Sequence, residues 1–244
     1  MSKLSVLYVS GYQFFFVENL EKLRNWCLDN ASDGIRGTII LANEGINFSL
    51  CGSVEVLERY LSNLFKRANL SCALRKSYAD KIGFRKFLVK IKPEIVSYRC
   101  SEASYQPLSY LSVEDFHRWL SEGHDDNGGK LCLVDVRNEF EHKMGTFRGA
   151  INVPTRSFSE FHHKMSHDWI NKGSTIVTFC TGGIRCEKSS YWFQNEGIPA
   201  YQLEGGILRY LEVFSQGFFE GSCFVFDERV SVSYGCCVST NLCH

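Results

Sequence analysis

An α/β chain in two parts is predicted: an N-terminal ferredoxin-like α+β domain over residues 1–95, then an α/β domain with a parallel sheet over residues 111–218. Three observations lead there. The first ninety or so residues read in the order βαββαβ, which places two helices on one face of an antiparallel sheet. Beyond residue 110, short apolar strands alternate with helical patterns, the mark of a parallel sheet covered on both faces. The length of 244 residues and an apolar fraction of 44% suit two modest cores.

The first domain opens with Leu4, Val6 and Tyr8 alternating with Ser5, Leu7 and Val9, as a buried strand does. Leu20, Leu23, Trp26 and Cys27 fall at helical spacing. Arg36 to Ala42 is a second strand and Gly45 to Leu50 a third, joined by the turn-like Asn43-Glu44-Gly45. Ser53 caps a second helix with Leu57, Tyr60, Leu61 and Leu64 on one face. Phe87 to Ile91 is taken as the last strand. Residues 96–110, with Pro107 and several serines, have no clean period and read as a linker.

In the second domain Ser112 caps a helix with Phe116, Trp119 and Leu120 facing inward. His124 to Lys130 is a polar loop, and Leu131 to Val136 a strand with Asp135 and Arg137 at its end. Ala150 to Val153 is a strand closed by Pro154, and Ser157 to Ile170 is expected to be helical. Then come the strand Thr175 to Phe179, a helix after Gly183, the strand Ala200 to Leu203 and the helix Ile207 to Phe214. Residues 219–244 are expected to form a tail.

The chemistry centres on Thr175 to Cys186, TIVTFCTGGIRC. Cys180 stands where a strand ends and a helix begins. Gly182 and Gly183 let the backbone turn tightly, so that several N–H groups aim at one point. The helix N-terminus adds partial positive charge. Such a cradle lowers a thiol pKa and holds an anion on the sulfur. Four residues, Thr181, Gly182, Gly183 and Ile184, separate Cys180 from Arg185. The C-x5-R phosphatases have one more, giving a phosphate-sized loop. The tighter loop resembles that of the rhodanese sulfurtransferases, whose loop suits a sulfane sulfur carried as a cysteine persulfide. Cys186 is read as a helix thiol that is buried or, alternatively, resolves an oxidised Cys180.

The eleven cysteines are odd in number, scattered and mostly set in apolar runs. With no signal-peptide pattern and no stretch as long as a membrane span, they imply free thiols in a reducing, cytoplasmic protein. Net charge is zero but unevenly placed. Residues 1–104 carry 15 Lys/Arg against 10 Asp/Glu, and Arg59 to Arg99 alone holds 11 basic residues against Asp80 and Glu94. That excess favours a polyanionic partner, with Lys66, Arg67, Arg75, Lys76, Arg85 and Lys86 as the candidate contacts. No protein partner and no membrane are implied.

The rhodanese resemblance extends to LVDVRNEFEHKMGTFRGAINVP, similar to the first rhodanese signature, although Thr146 stands where that signature has histidine. YQLEGGILRYLE resembles the closing strand and helix. The resemblance implies a rhodanese-like fold for residues 111–218, with Asp135 and Arg137 near the loop as braces, Arg185 as loop support and Cys180 as nucleophile. A narrower likeness covers nearly the whole chain. LANEGINFSLCGS, GFRKFLVKIKPEIVSY, DVRNEFEHKMGTFRGAIN, CTGGIRCEKSS, EGGILRYLE and FVFDERVSV together resemble one bacterial family, the rhodanese-containing tRNA uridine hydroxylases. This implies oxidation of the wobble uridine, position 34, to 5-hydroxyuridine, with tRNA as partner and molecular oxygen as co-substrate. The chain stops at GCCVSTNLCH, where many members carry a longer cysteine-rich segment.

No cofactor is identifiable in the residues: haem, flavin and non-haem iron signatures are lacking. Cys236, Cys237, Cys243 and His244 lack zinc-ligand spacing, and no metal site is expected. His142, His162, His163 and His167 read as surface residues. Two other functions compete with the hydroxylase: a plain sulfurtransferase passing persulfide sulfur, and a non-catalytic RNA-binding or sulfur-carrier module. The basic first domain disfavours a small-molecule sulfurtransferase, and the intact Cys180 loop disfavours a non-catalytic module.

Overall fold

The computed structural model describes residues 6–100, 107–170, 173–214, 216–225 and 231–232. They form two compact units, one of residues up to Ser97 and one over Tyr98–Val225 with Ser231 and Val232.

The first unit runs β1 (Val6–Phe14), α1 (Leu20–Asp29), β2 (Arg36–Ala42), β3 (Gly45–Ser53), α2 (Val54–Ala68), β4 (Arg75–Ala79) and β5 (Phe87–Ile91). Its five strands lie in the order β4-β1-β3-β2-β5. The expected helices are present: Asn19 caps α1 by accepting from Lys22 N–H at 2.8 Å, and α2 buries Leu57, Tyr60, Leu61 and Leu64. Both pack on the sheet face that carries Leu7, Val9, Ile39, Phe48 and Leu50.

One expectation is corrected. Phe87–Ile91 is not the strand that completes βαββαβ; β4 is, pairing antiparallel with β1. β5 is a fifth strand on the far edge, parallel to β2. β4 escaped notice because an edge strand with one wet face shows little apolar alternation: Arg75, Lys76 and Ser77 occupy three of its five positions.

The second unit contains β6 (Ser109–Leu111), α3 (Val113–Glu122), β7 (Leu131–Asp135), α4 (Glu139–Met144), β8 (Gly145–Phe147), β9 (Ile151–Asn152), α5 (Phe161–Lys164), β10 (Thr175–Phe179), α6 (Ile184–Asn195), β11 (Ala200–Leu203), α7 (Gly206–Val213), β12 (Phe219–Gly221), β13 (Cys223–Phe224) and β14 (Ser231–Val232). Strands β6-β11-β10-β7-β9 make one parallel sheet. Phe147 anchors the core, with its ring edge-to-face against Phe116, Phe179, Tyr210 and Phe219 at 4.8–5.4 Å.

Here too the structure differs from the sequence reading in places. Ser109 and Tyr110, placed in the linker, belong to β6. Ser157 to Ile170 is not one helix but α5 between two 3-10 turns, because Met165 is extended and Ser166 accepts from Asp168 N–H to start afresh. The start of the expected tail is structured: β12 pairs antiparallel with β8, and Phe219, Cys223, Val225 and Val232 are buried in the core. Cys236, Cys237, Cys243 and His244 lie outside the described residues.

Candidate active site

Every strand of a parallel sheet points its carboxyl end the same way, so the loops after β7, β9, β10 and β11 share one rim. Cys180 is the first residue after β10 and is fully buried. The chain turns through Thr181, Gly182 and Gly183 into α6. Gly183 has φ +102°, a conformation that a side chain would strain, and its N–H donates to Cys180 Sγ at 3.1 Å. The helix α7 holds the other side of the loop. Ile207 N–H donates to Cys180 O at 2.9 Å and Leu208 N–H to Thr181 O at 3.0 Å. Gly206 makes this approach possible: with φ +65°, a Cβ there would lie 2.4 Å from Cys180 O.

Arg185 is buried and does not reach for solvent. Its Nη1 donates to Glu141 Oε2 at 2.6 Å, its Nη2 to Glu141 Oε1 at 2.8 Å and to Thr181 Oγ1 at 3.3 Å. Glu141 is fully buried on α4 and accepts from Asn138 N–H at 3.2 Å as well. A bidentate pair of this kind sets direction as well as charge. Sequence reasoning missed Glu141. Its one signal was the Asn138-x-x-Glu141 spacing of a helix start, which said nothing of a partner 44 positions away.

Asp135 and Arg137 form a second buried pair below the loop. Arg137 Nε and Nη2 donate to the two oxygens of Asp135 at 2.9 and 2.7 Å. Asp135 Oδ2 also accepts from Thr146 Oγ1 at 2.9 Å and lies 3.1 Å from His142 Nδ1. His142, read as a surface residue, is therefore part of this network, as is Thr146 at the position where the rhodanese signature has histidine. Burial raises the Asp135 pKa, but the Arg137 charge and the His142 hydrogen bond outweigh it and hold the carboxyl at about 2.

The two loop cysteines, both fully buried, shift one another in opposite directions. For Cys180, burial pushes the pKa up; the bond from Cys186, the Arg185 charge and the N–H groups of Arg185 and Gly183 outweigh it and hold the thiol below the usual cysteine range. Cys186, also fully buried, moves the other way, raised by burial and by its bond to Cys180. The surroundings thus favour a negative charge on Cys180 over one on Cys186. A third thiol, Cys223 of β13, donates to Phe224 O at 3.7 Å; burial pushes its pKa up to about 12 against the pull of Arg137. The arrangement sets one buried sulfur against a backbone donor and beside a fixed cation, suited to a nucleophile or to a sulfur-borne anion.

The six basic candidates are not gathered into one patch. Lys66 and Arg67 end α2, and Arg75 and Lys76 lie on β4; Lys76 pairs with Glu58 at 2.8 Å. Arg85 and Lys86 precede β5 on the opposite edge, four strand spacings or roughly 19 Å away. All but the half-buried Arg75 are exposed. Among the described residues no group of three His, Cys, Asp or Glu side chains could hold a metal ion, and no helix is long and apolar enough to cross a membrane.

Comparison with known proteins covers both units. Residues 6–95 match the UPF0176 acylphosphatase-like domain and residues 112–212 the rhodanese-like domain. A protein of Bordetella pertussis named tRNA uridine(34) hydroxylase is 39% identical over 238 residues, spanning 93% of this chain and 96% of the relative. Proteins of the same name from Delftia acidovorans and Cupriavidus taiwanensis are 38% and 37% identical and are covered over 89% and 84% of their lengths.

Proposed function

Because this chain belongs to the tRNA uridine(34) hydroxylase family, we propose that it hydroxylates uridine 34 of tRNA at C5, with Cys180 as the nucleophile. One observation carries the assignment of the chemistry to this loop: a fully buried Cys180 whose Sγ accepts from Gly183 N–H at 3.1 Å, beside an arginine fixed by Glu141.

The ring chemistry follows from uridine. C5 and C6 belong to an enone-like system. Addition of the Cys180 sulfur to C6 makes C5 electron-rich and ready for an oxygen electrophile. With molecular oxygen as co-substrate, one oxygen atom enters at C5 and the other leaves as water. Two electrons and two protons then come from an external two-electron donor. Loss of the C5 proton and of the sulfur from C6 restores the aromatic ring. Arg185, with Glu141 as its anchor, keeps the thiolate charged until the base arrives, and Asp135 with Arg137 braces the strand end beneath it. Lys66, Arg67, Arg75, Lys76, Arg85 and Lys86 serve as phosphate contacts on the basic unit, and the work is done in the cytoplasm, where tRNA is.

The test is nucleoside mass spectrometry of tRNA from cells with and without the protein. A uridine heavier by one oxygen atom should be present only with it. Identical nucleoside profiles would remove the hydroxylase reading and leave persulfide transfer as the use of the loop.

A further inference from the structure

A base inside a tRNA loop must leave its stack before a buried sulfur can reach C6. The enzyme then needs something at the mouth of the loop on which an extruded nucleotide can rest. Residues in the second unit meet that need, and the Cys180 chemistry does not use them.

Phe140, the second residue of α4, is 45% exposed although it is a large aromatic. Its neighbour Glu141 holds Arg185, so the ring stands one residue from the loop's anchor. It is braced from the far side of the chain: the Phe224 ring meets it edge-to-face, with centroids 5.0 Å apart and planes at 84°. Phe224 in turn follows Cys223, which is buried in the same core as Phe179, the residue before Cys180. Phe140 is tied to the Cys180 loop through Glu141 and Arg185. A cation lies near the start of α4. Glu139 N–H donates to Thr155 O at 2.9 Å, which brings the exposed Arg156 close to the first turn of α4. Arg156 N–H donates to Glu160 Oε2 at 3.3 Å.

An exposed aromatic alone would suit many partners. An aromatic beside a cation, on the rim of a site for a pyrimidine, fits single-stranded RNA, whose recognition combines base stacking with phosphate contacts. Resting on the function proposed above, we infer that Phe140, propped by Phe224, stacks against a base of the single-stranded anticodon loop while Arg156 takes a flanking phosphate. This rim, rather than the basic first unit, then positions the nucleotide over Cys180.

Fluorescence anisotropy with a labelled anticodon stem-loop RNA tests it on the full chain. Phe140→Ala should weaken binding by roughly 5- to 150-fold, the range for loss of one stacked base. Phe140→Trp should bind like wild type. Arg156→Ala should lower the log–log salt slope by about one. Thiolate absorbance of each variant reports whether the Cys180 loop is intact. Phe140→Ala binding like wild type with an intact loop, Phe140→Trp failing to restore binding, or a wild type that does not bind the stem-loop would each overturn the inference. Hydroxylation of the same RNA separates this claim from the one beneath it. Hydroxylation by Phe140→Ala at wild-type KM sinks the rim and keeps the hydroxylase. Phe140-dependent binding with no hydroxylated uridine keeps the rim and sinks the hydroxylase.

Discussion

The Cys180 thiolate depends on neighbours that can be removed one at a time. Titration of thiolate absorbance, taken as the difference between wild type and Cys180→Ser, should show Cys180 ionising below the ordinary cysteine range. Arg185→Gln should raise that midpoint by withdrawing the nearby charge. It should also destabilise the fold by about 3–5 kcal/mol, since it leaves Glu141 buried without its partner. A midpoint that does not move in Arg185→Gln would show that the arginine only holds the loop. Much of this was legible in the sequence. Cys180, Gly183 and Arg185 could be picked out by residue type and spacing, because a strand-to-helix turn leaves few other arrangements. Glu141 could not, because an acidic residue in a first helical turn is ordinary and its partner is distant in the chain. His142 and Thr146 were obscure for the same reason: both act by converging on the Asp135 carboxyl from elsewhere in the chain.

Among the elements, the join between α7 and the Cys180 loop is the most constrained. Gly206→Ala puts a Cβ against Cys180 O in a positive-φ conformation, at a cost of about 1–3 kcal/mol from backbone strain before the clash is relieved. Urea unfolding should show that loss, and hydroxylation should fall with it, because the loop must move to make room. The end of β7 carries a pH dependence. The folded-state pKa of Asp135 is depressed, so its contribution is present above the unfolded value near 3.8 and is lost as pH falls toward about 2. Stability measured between pH 5 and 2 should include a loss on the order of 2 kcal/mol that is absent in Asp135→Asn, itself less stable at neutral pH. The long elements were legible because their apolar period is sustained: α2, β2, β3 and β10 lie close to where spacing put them. The short ones were not. The edge strand β4 shows polar residues outward, and β6, β8 and β12 have three residues each, too few for a period to declare itself.

At the scale of the whole molecule, a neutral chain hides a basic first part, with 11 basic residues against two acidic between Arg59 and Arg99. Binding of tRNA should therefore weaken steeply with salt, and Arg85→Ala with Lys86→Ala should lower affinity about equally for different tRNAs, since phosphate contacts carry no sequence information. Nitrocellulose filter binding at two salt concentrations reads both; affinity unchanged by salt would remove the basic unit from tRNA binding. The two-part plan was legible because the two element orders differ, whereas the return of residues 219–225 into the second core was not, since nothing in GFFEGSCFV marks a partner strand. The proposed reaction requires Cys180 to act on uridine 34 and not merely to sit beside it. The most direct test incubates purified protein and unmodified tRNA in air with an added two-electron reductant, then digests the tRNA and measures 5-hydroxyuridine by mass spectrometry, for wild type and Cys180→Ala with tRNA affinity measured in parallel. The expected result is 5-hydroxyuridine at position 34 with wild type and none with Cys180→Ala at equal affinity; 5-hydroxyuridine formed by Cys180→Ala at the wild-type rate would contradict it.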